Sequence, residues 1–345
     1  MNQQRHTGTG LALVVFSAAC FATSGPFARS LTDAGWTSGA AVAARIGVAA
    51  LILAIPALLA LRGRFAALRR GMPLVATYGL VAVAGCQVFF FNAVQSLSVG
   101  VALLIEYLGL VLVVGWLWAF RGQRPRRLTV AGSAVAIAGL ALMLDLTGES
   151  RLDPVGVLWG LAAAVGLAAY FVLSSKSDSE LPPVAFASAG MSVGAIALLA
   201  LSFTGALPMH ATFETVEFAG GQASWLVPVI GLSLVAAAIA YVAGIGGARR
   251  LGAKLASFAG LTEVAFAVLF AWILLGELPT GIQLLGGVFI VAGVVLVRLD
   301  EIRSPAAATP AQRHELEPQP QPRSELERED VSATPDGSAA VPVGS

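Results

Sequence analysis

Charge is what this 345-residue chain has least of. Only 12% of its residues are charged, against about a quarter in an ordinary soluble protein, while 57% are apolar and the mean hydropathy is +0.81. Between Gly71 and Phe120 the single charged residue is Glu106, and no water-facing surface can be assembled from that. A soluble single domain and a nucleic-acid binder are both disfavoured. Cysteine is nearly as scarce. Cys20 and Cys86 both lie in apolar runs, where a free thiol behaves as a small hydrophobe, so a disulfide scaffold is disfavoured too. His6, His210 and His314 fall outside those runs, no H-E-x-x-H occurs, and Asp is absent from the run interiors. Intramembrane zinc or serine–histidine chemistry is therefore hard to build. There is no G-x-x-x-x-G-K-[ST] loop for ATP and no ring of like charges for a channel. The chain reads as a polytopic membrane protein that is not an enzyme and requires no cofactor or metal.

A helix needs about 20 apolar residues to cross a hydrocarbon layer of about 30 Å. That criterion predicts ten spans: 9–28, 37–61, 72–92, 97–119, 128–145, 154–174, 182–203, 224–246, 253–275 and 279–299. The apolar run from Gly71 to Phe120 is too long for one crossing, and its most polar stretch, Asn92 to Gly100, is where it should turn back. The first span is flanked only by Arg5 and lacks a tidy small-residue cleavage site, so it reads as a retained helix. Lys and Arg near span ends stay on the cytoplasmic side. With the N-terminus inside, the cytoplasmic loops hold twelve such residues, among them Arg62, Arg64, Arg69, Arg70, Arg249 and Arg250, and the opposite loops hold Arg29 and Arg151. This predicts a multi-pass protein of the plasma (inner) membrane with both termini in the cytoplasm. The six tryptophans fall near predicted span ends, as an aromatic belt requires. Residues 300–345 become rich in Pro, Ala, Gly, Ser and acid, a composition that cannot offset its ordering entropy, and read as a disordered cytoplasmic tail.

Shifting the chain by 154 residues aligns Leu97–Gly139 with Leu251–Gly293 without a gap. The nine identities in 43 columns include Trp118/Trp272, Pro125/Pro279, Gly132/Gly286 and Gly139/Gly293. The shift carries span 4 onto span 9 and span 5 onto span 10. Each half, 9–145 and 154–299, then holds five helices, and an odd number forces the halves to insert with opposite orientation. Inverted repeats of this kind typify secondary transporters, whose binding site lies near the midplane between halves.

The stretch from Glu263 through Leu274-Leu275-Gly276-Glu277-Leu278-Pro279 to Gly286-Gly287 resembles the end of an EamA-type unit of the drug/metabolite transporter superfamily. Arg45 and the run Val101-Ala-Leu-Leu-Ile-Glu106-Tyr-Leu-Gly109 are most similar to the threonine/homoserine exporter branch. The resemblance covers residues 10–300 and implies an all-α fold of ten helices and a carrier of small polar metabolites. It further implies export of amino acids or related compounds by proton-linked or exchange transport. One departure stands out: the family often has a proline at equivalent points of spans 4 and 9, where this chain has Leu110 and Val264. A proline-kinked cavity wall is thus not implied here. A nucleotide-sugar or lipid-linked carrier stays open, although such substrates would favour more basic residues than one arginine. Monomer and homodimer are equally compatible.

Buried ionisable groups carry the most information, since a charge at the bilayer centre costs at least about 2.5–3.5 kcal/mol. Arg45, Glu106 and Glu263 are the three deep in spans. Arg45 and Glu106 fall at similar depth, roughly 12–14 Å from the outer side, which predicts an ion pair between them. Glu263 is then left without a base and becomes the candidate for proton exchange, the alternative being that all three simply hold helices together. Gln87 and Asn92 in span 3 could hydrogen-bond a polar solute or glue helices, with Gln95 in the turn. Tyr78, Tyr107, Tyr170 and Tyr241 all lie in spans, where a hydroxyl needs a partner or a wet cavity. The expected substrate or proton site is therefore Glu263, Glu106, Arg45, Gln87, Asn92, Tyr107, Tyr170 and Tyr241.

Overall fold

The computed structural model describes residues 2–97, 99–144, 153–176, 180–205, 207–218, 220–275, 278 and 280–302. The expected tail, Arg151, and Gly276, Glu277 and Pro279 of the EamA-like stretch lie outside the described residues.

Among those residues, nine helices are long and apolar enough to cross a membrane. They are span 1 (Thr7–Asp33), span 2 (Ser38–Leu61), span 3 (Phe65–Ala93), span 4 (Val99–Arg121), span 6 (Pro154–Ser174), span 7 (Pro183–Phe203), span 8 (Leu226–Leu251), span 9 (Ala253–Ile273) and span 10 (Gly281–Asp300). The shorter apolar helix Arg127–Met143 is span 5; its 17 residues cover about 26 Å. The expected turn in the Gly71–Phe120 run is present: one helix ends at Ala93 and the next begins at Val99. Span 3 starts seven residues earlier than the apolar run, because helix continues through Arg69 and Arg70. Spans 8 and 9 are joined by Gly252 alone, at φ 78°, a backbone region that side chains resist.

Five spans are not regular, and the first of them, span 1, breaks at Thr23 between Asn2–Ala22 and Ser24–Asp33. Spans 4 and 9 each break at one residue, Leu108 and Leu261, splitting them into Val99–Tyr107 plus Gly109–Arg121 and Ala253–Gly260 plus Thr262–Leu275. Each break is held by three-residue-back hydrogen bonds, Leu108 N to Ile105 O and Leu261 N to Phe258 O, both 3.1 Å. The wall is therefore interrupted at matching places without proline. Spans 3 and 8 carry π-helical turns at Tyr78–Gly85 and Leu234–Ile239, again at matching places in the two halves. Such wider turns leave carbonyls available and are frequent at functional sites.

Spans 5 and 10 show how the halves are related. A Cβ added at Gly132 would lie 2.9 Å from Gly293 O, and one at Gly139 would lie 2.7 Å from Gly286 O. In the repeat alignment Gly132 corresponds to Gly286 and Gly139 to Gly293. Exchanging the halves therefore returns the same contacts, with early residues of one helix against late residues of the other. That is an antiparallel, two-fold crossing, as inverted repeats demand; parallel repeats would bring Gly132 to Gly286. Backbones approach this closely only where side chains are absent.

One element is not helical. Between spans 7 and 8, Thr215–Phe218 pairs antiparallel with Gly221–Ser224, Thr215 opposite Ser224. The hairpin stacks Phe218 on Phe27 at 5.2 Å and accepts a hydrogen bond from Ser30 Oγ at Glu217 O, 2.7 Å, so it is tied to the end of span 1.

Candidate functional site

The irregular spans surround one hollow between the halves. Span 1 contributes Ser17, Phe21 and Ser24, one helical face at steps of four and three. Span 2 contributes Arg45. Cys86 and Gln87 follow the π turn of span 3, Glu106 and Tyr107 end the first part of span 4, Tyr170 comes from span 6, and Tyr241 follows the π turn of span 8. Glu263 opens the second part of span 9. The hollow has a volume of about 210 Å³. Seven of the eight expected residues meet here. Asn92 does not: its Nδ2 donates to Val88 O at 2.8 Å, within its own helix.

The expected Arg45–Glu106 ion pair is not formed. Arg45 Nη2 donates to Ala236 O in the π turn of span 8, 2.6 Å, and the guanidinium lies 5.7 Å over the Phe21 ring. Its neighbours in charge are Glu263 and Tyr241. Equal depth fixes only one coordinate, and span 2 packs against spans 7 and 8 while span 4 packs on span 6. Arg45 is 9% exposed, and its Nε has no hydrogen-bond partner. A buried, unpaired guanidinium donor is expensive.

The two carboxylates differ in their surroundings. Glu106 sits in the last turn of a half-helix and accepts from the Cys86 thiol at 3.2 Å, with Cys86 also 3.5 Å from Ala163 O. Glu263 sits in the first turn of a half-helix, where the macrodipole favours an anion, with Arg45 and the Tyr107 hydroxyl nearby. Arg45 is therefore in electrostatic reach of Glu263 and forms an ion pair with neither carboxylate, contrary to the sequence expectation. Cys86, read from sequence as an apolar filler, is the donor that orients Glu106; Cys20 and Cys86 are both unbridged. Phe21, Tyr170 and Tyr241 close one wall edge to face, with centroids 5.0–6.2 Å apart. Ser17, Phe21 and Ser24 were legible as a stripe on span 1, but nothing in the sequence turned that stripe inward.

A second hollow continues from the first. Ser24, Leu103, Tyr107 and Glu263 line both, and the second runs to Thr280 and Gln283 at the start of span 10. Tyr107 and Glu263 thus stand where the two hollows meet.

The EamA-like transporter family matches the chain twice, over residues 8–145 and 154–299. A probable terminal-alkyne amino-acid exporter of Streptantibioticus cattleyicolor is 29% identical over 87% of this chain and 97% of its own length. The threonine/homoserine exporter RhtA of Escherichia coli is 29% identical over 69% of this chain and 77% of its own. A solved crystal structure with 22% identity superposes with a TM-score of 0.68, covering 87% of this chain and 99% of that one, and shares the fold. The chain belongs to the EamA-like transporter family. It is a multi-pass membrane transporter and not an enzyme.

Proposed function

We propose that this EamA-family chain exports small zwitterionic metabolites, amino acids or close relatives, in exchange for protons across the plasma membrane, with both termini in the cytoplasm. One observation carries the reading: a guanidinium with a spare donor shares a small hollow with two carboxylates. A substrate carboxylate suits the free face of Arg45, and its ammonium suits Glu263 and the surrounding aromatic wall, where cations bind ring faces. With all three groups ionised the hollow has one surplus negative charge. A zwitterionic substrate brings equal and opposite charges and leaves that surplus unchanged; its ammonium and a proton instead compete for the same pair of carboxylates. Competition for one site is what couples an exchanger.

The single arginine supports a small cargo: a nucleotide-sugar or lipid-linked carrier would call for more basic residues than the hollow holds. The direction of transport rests on the relatives, two of which are named as amino-acid exporters.

The test uses everted vesicles with L-threonine and L-homoserine as probes and an imposed pH gradient. Wild type should accumulate a probe with the gradient. Glu106→Gln should abolish gradient-driven accumulation while sparing threonine-for-threonine exchange. Full gradient coupling in Glu106→Gln removes the proton role of that residue, and no movement of any amino acid by wild type removes the substrate class.

A further inference from the structure

Arg45 has a counterpart that the central hollow does not use. Arg249, near the end of span 8, donates from Nη1 to a main-chain carbonyl, Leu181 O, at 2.6 Å, as Arg45 Nη2 does to Ala236 O at 2.6 Å. Its guanidinium lies 5.7 Å over Phe186, as that of Arg45 lies 5.7 Å over Phe21. Its Nε, like that of Arg45, has no hydrogen-bond partner. Arg249 meets Phe186 of span 7, with Tyr78 of span 3 and Ser174 of span 6 close by.

A continuous series of rings joins the two arginines. Phe21 lies 5.0 Å from Tyr241, Tyr241 5.6 Å from Tyr170, Tyr170 6.1 Å from Tyr78, and Tyr78 4.7 Å from Phe186. Tyr170 belongs to the wall of the central hollow, so the series leads from that hollow to Arg249. At the Arg249 end not all polar atoms are satisfied. Tyr78 and Ser174 are fully buried and their hydroxyls have only each other as a partner, so one hydroxyl proton there and Arg249 Nε are left without an acceptor. Unmade donors of this kind are costly. Two such donors beside a cation that forms no ion pair among the described residues suit an oxyanion. Arg249 is partly exposed at the basic end of the bundle, and Tyr78 and Ser174 lie behind it.

We propose that Arg249, Tyr78 and Ser174 form a second carboxylate-recognising station, shut in this conformation, that receives the substrate at the basic end of the bundle before it reaches Arg45. The proposal rests on the zwitterion reading of the central hollow for the identity of the carboxylate. Rocking of the halves exchanges which arginine faces an open passage: in this structure the second hollow gives Arg45's chamber a passage, and the Arg249 station is packed closed.

The experiment is independent of the transported compound. Ser174→Cys is placed in a Cys20→Ala, Cys86→Ser background and reconstituted with the basic end outward. It is then treated with an anionic or a cationic methanethiosulfonate of similar size. The anionic sulfonatoethyl reagent should modify Cys at this position at least tenfold faster than the trimethylammonioethyl reagent. Adding Arg249→Gln should erase the preference, and Arg249→Lys should keep part of it. No modification by either reagent, with or without a pH gradient, shows that the station never opens and overturns the proposal. An anion-to-cation ratio unchanged by Arg249→Gln overturns it as well. An anionic lipid headgroup is the other source of an oxyanion. Slowing of the reaction when phosphatidylglycerol is added to phosphatidylcholine vesicles assigns the station to lipid and overturns the substrate role. If Ser174→Cys does not purify as a folded protein, Ser175→Cys, one residue on and partly exposed, takes its place. Failure of amino-acid transport in wild type alters the Proposed function and leaves this labelling result standing by itself.

Discussion

Replacing Arg45 by lysine keeps the buried charge and removes the fork that carries it. Arg45 lines the hollow with a divided fork: Nη2 is committed to Ala236 O at 2.6 Å, and Nε stands without a partner. A lysine ammonium is one point charge on a flexible stem and cannot serve both places in the same geometry. The substitution therefore removes one charge-assisted hydrogen bond, worth about 1.5–3 kcal/mol. If the ammonium keeps the carbonyl, the loss falls on the substrate, and at about 1.4 kcal/mol per decade the Kd for L-threonine should rise by about 10- to 150-fold. Stability should change little, because the charge and the carbonyl contact both survive. The measurement is equilibrium binding of L-threonine to purified Arg45→Lys and wild type, with thermal unfolding followed in parallel. Binding within twofold of wild type refutes the substrate role of the guanidinium. A fall in Tm of more than about 10 °C with proportionate loss of binding refutes it differently, by making Arg45 a structural strut.

The glycine seam gives a paired prediction: Gly139→Ala and Gly293→Ala each place a Cβ 2.7 Å from a carbonyl oxygen across the crossing and should each cost about 1–3 kcal/mol by overpacking. Gly115→Ala, whose Cβ would meet nothing within 4 Å, should leave the Tm unchanged; equal Tm values for all three variants would refute the close crossing. Cys86 lines the hollow and Cys20 does not, so saturating substrate should slow N-ethylmaleimide labelling of Cys86 and leave that of Cys20 unchanged; equal protection of both refutes the placement. Thr129 Oγ1 donates to the buried carboxylate of Asp300 at 2.6 Å, tying span 5 to span 10. Thr129→Val should therefore cost about 1–3 kcal/mol on thermal unfolding with threonine binding retained, and an unchanged Tm shows the bond contributes nothing.

Scarce charge and long apolar runs determined a ten-helix membrane protein before any coordinates, because a bilayer accepts only helices or closed barrels and sets their length. The repeat alignment, with its Trp, Pro and Gly identities, likewise determined two opposed halves, since five crossings per half leave no other insertion. The costly residues Arg45, Glu106 and Glu263 were legible for the same reason: nothing else deep in the spans was charged. Depth along a helix, however, is one coordinate out of three. Which neighbour Arg45 meets depends on the angle of span 2 and on where span 8 opens a π turn, and neither leaves a mark in composition or spacing. The unkinked-looking Leu110 and Val264 hid breaks that lie two and three residues earlier, at Leu108 and Leu261. Only the tertiary structure decided that the guanidinium is held by Ala236 O, that Cys86 serves Glu106, and that Arg249 lies over Phe186. These are contacts between spans far apart in the chain, and a one-dimensional pattern records what each helix can tolerate, not which helix it will face.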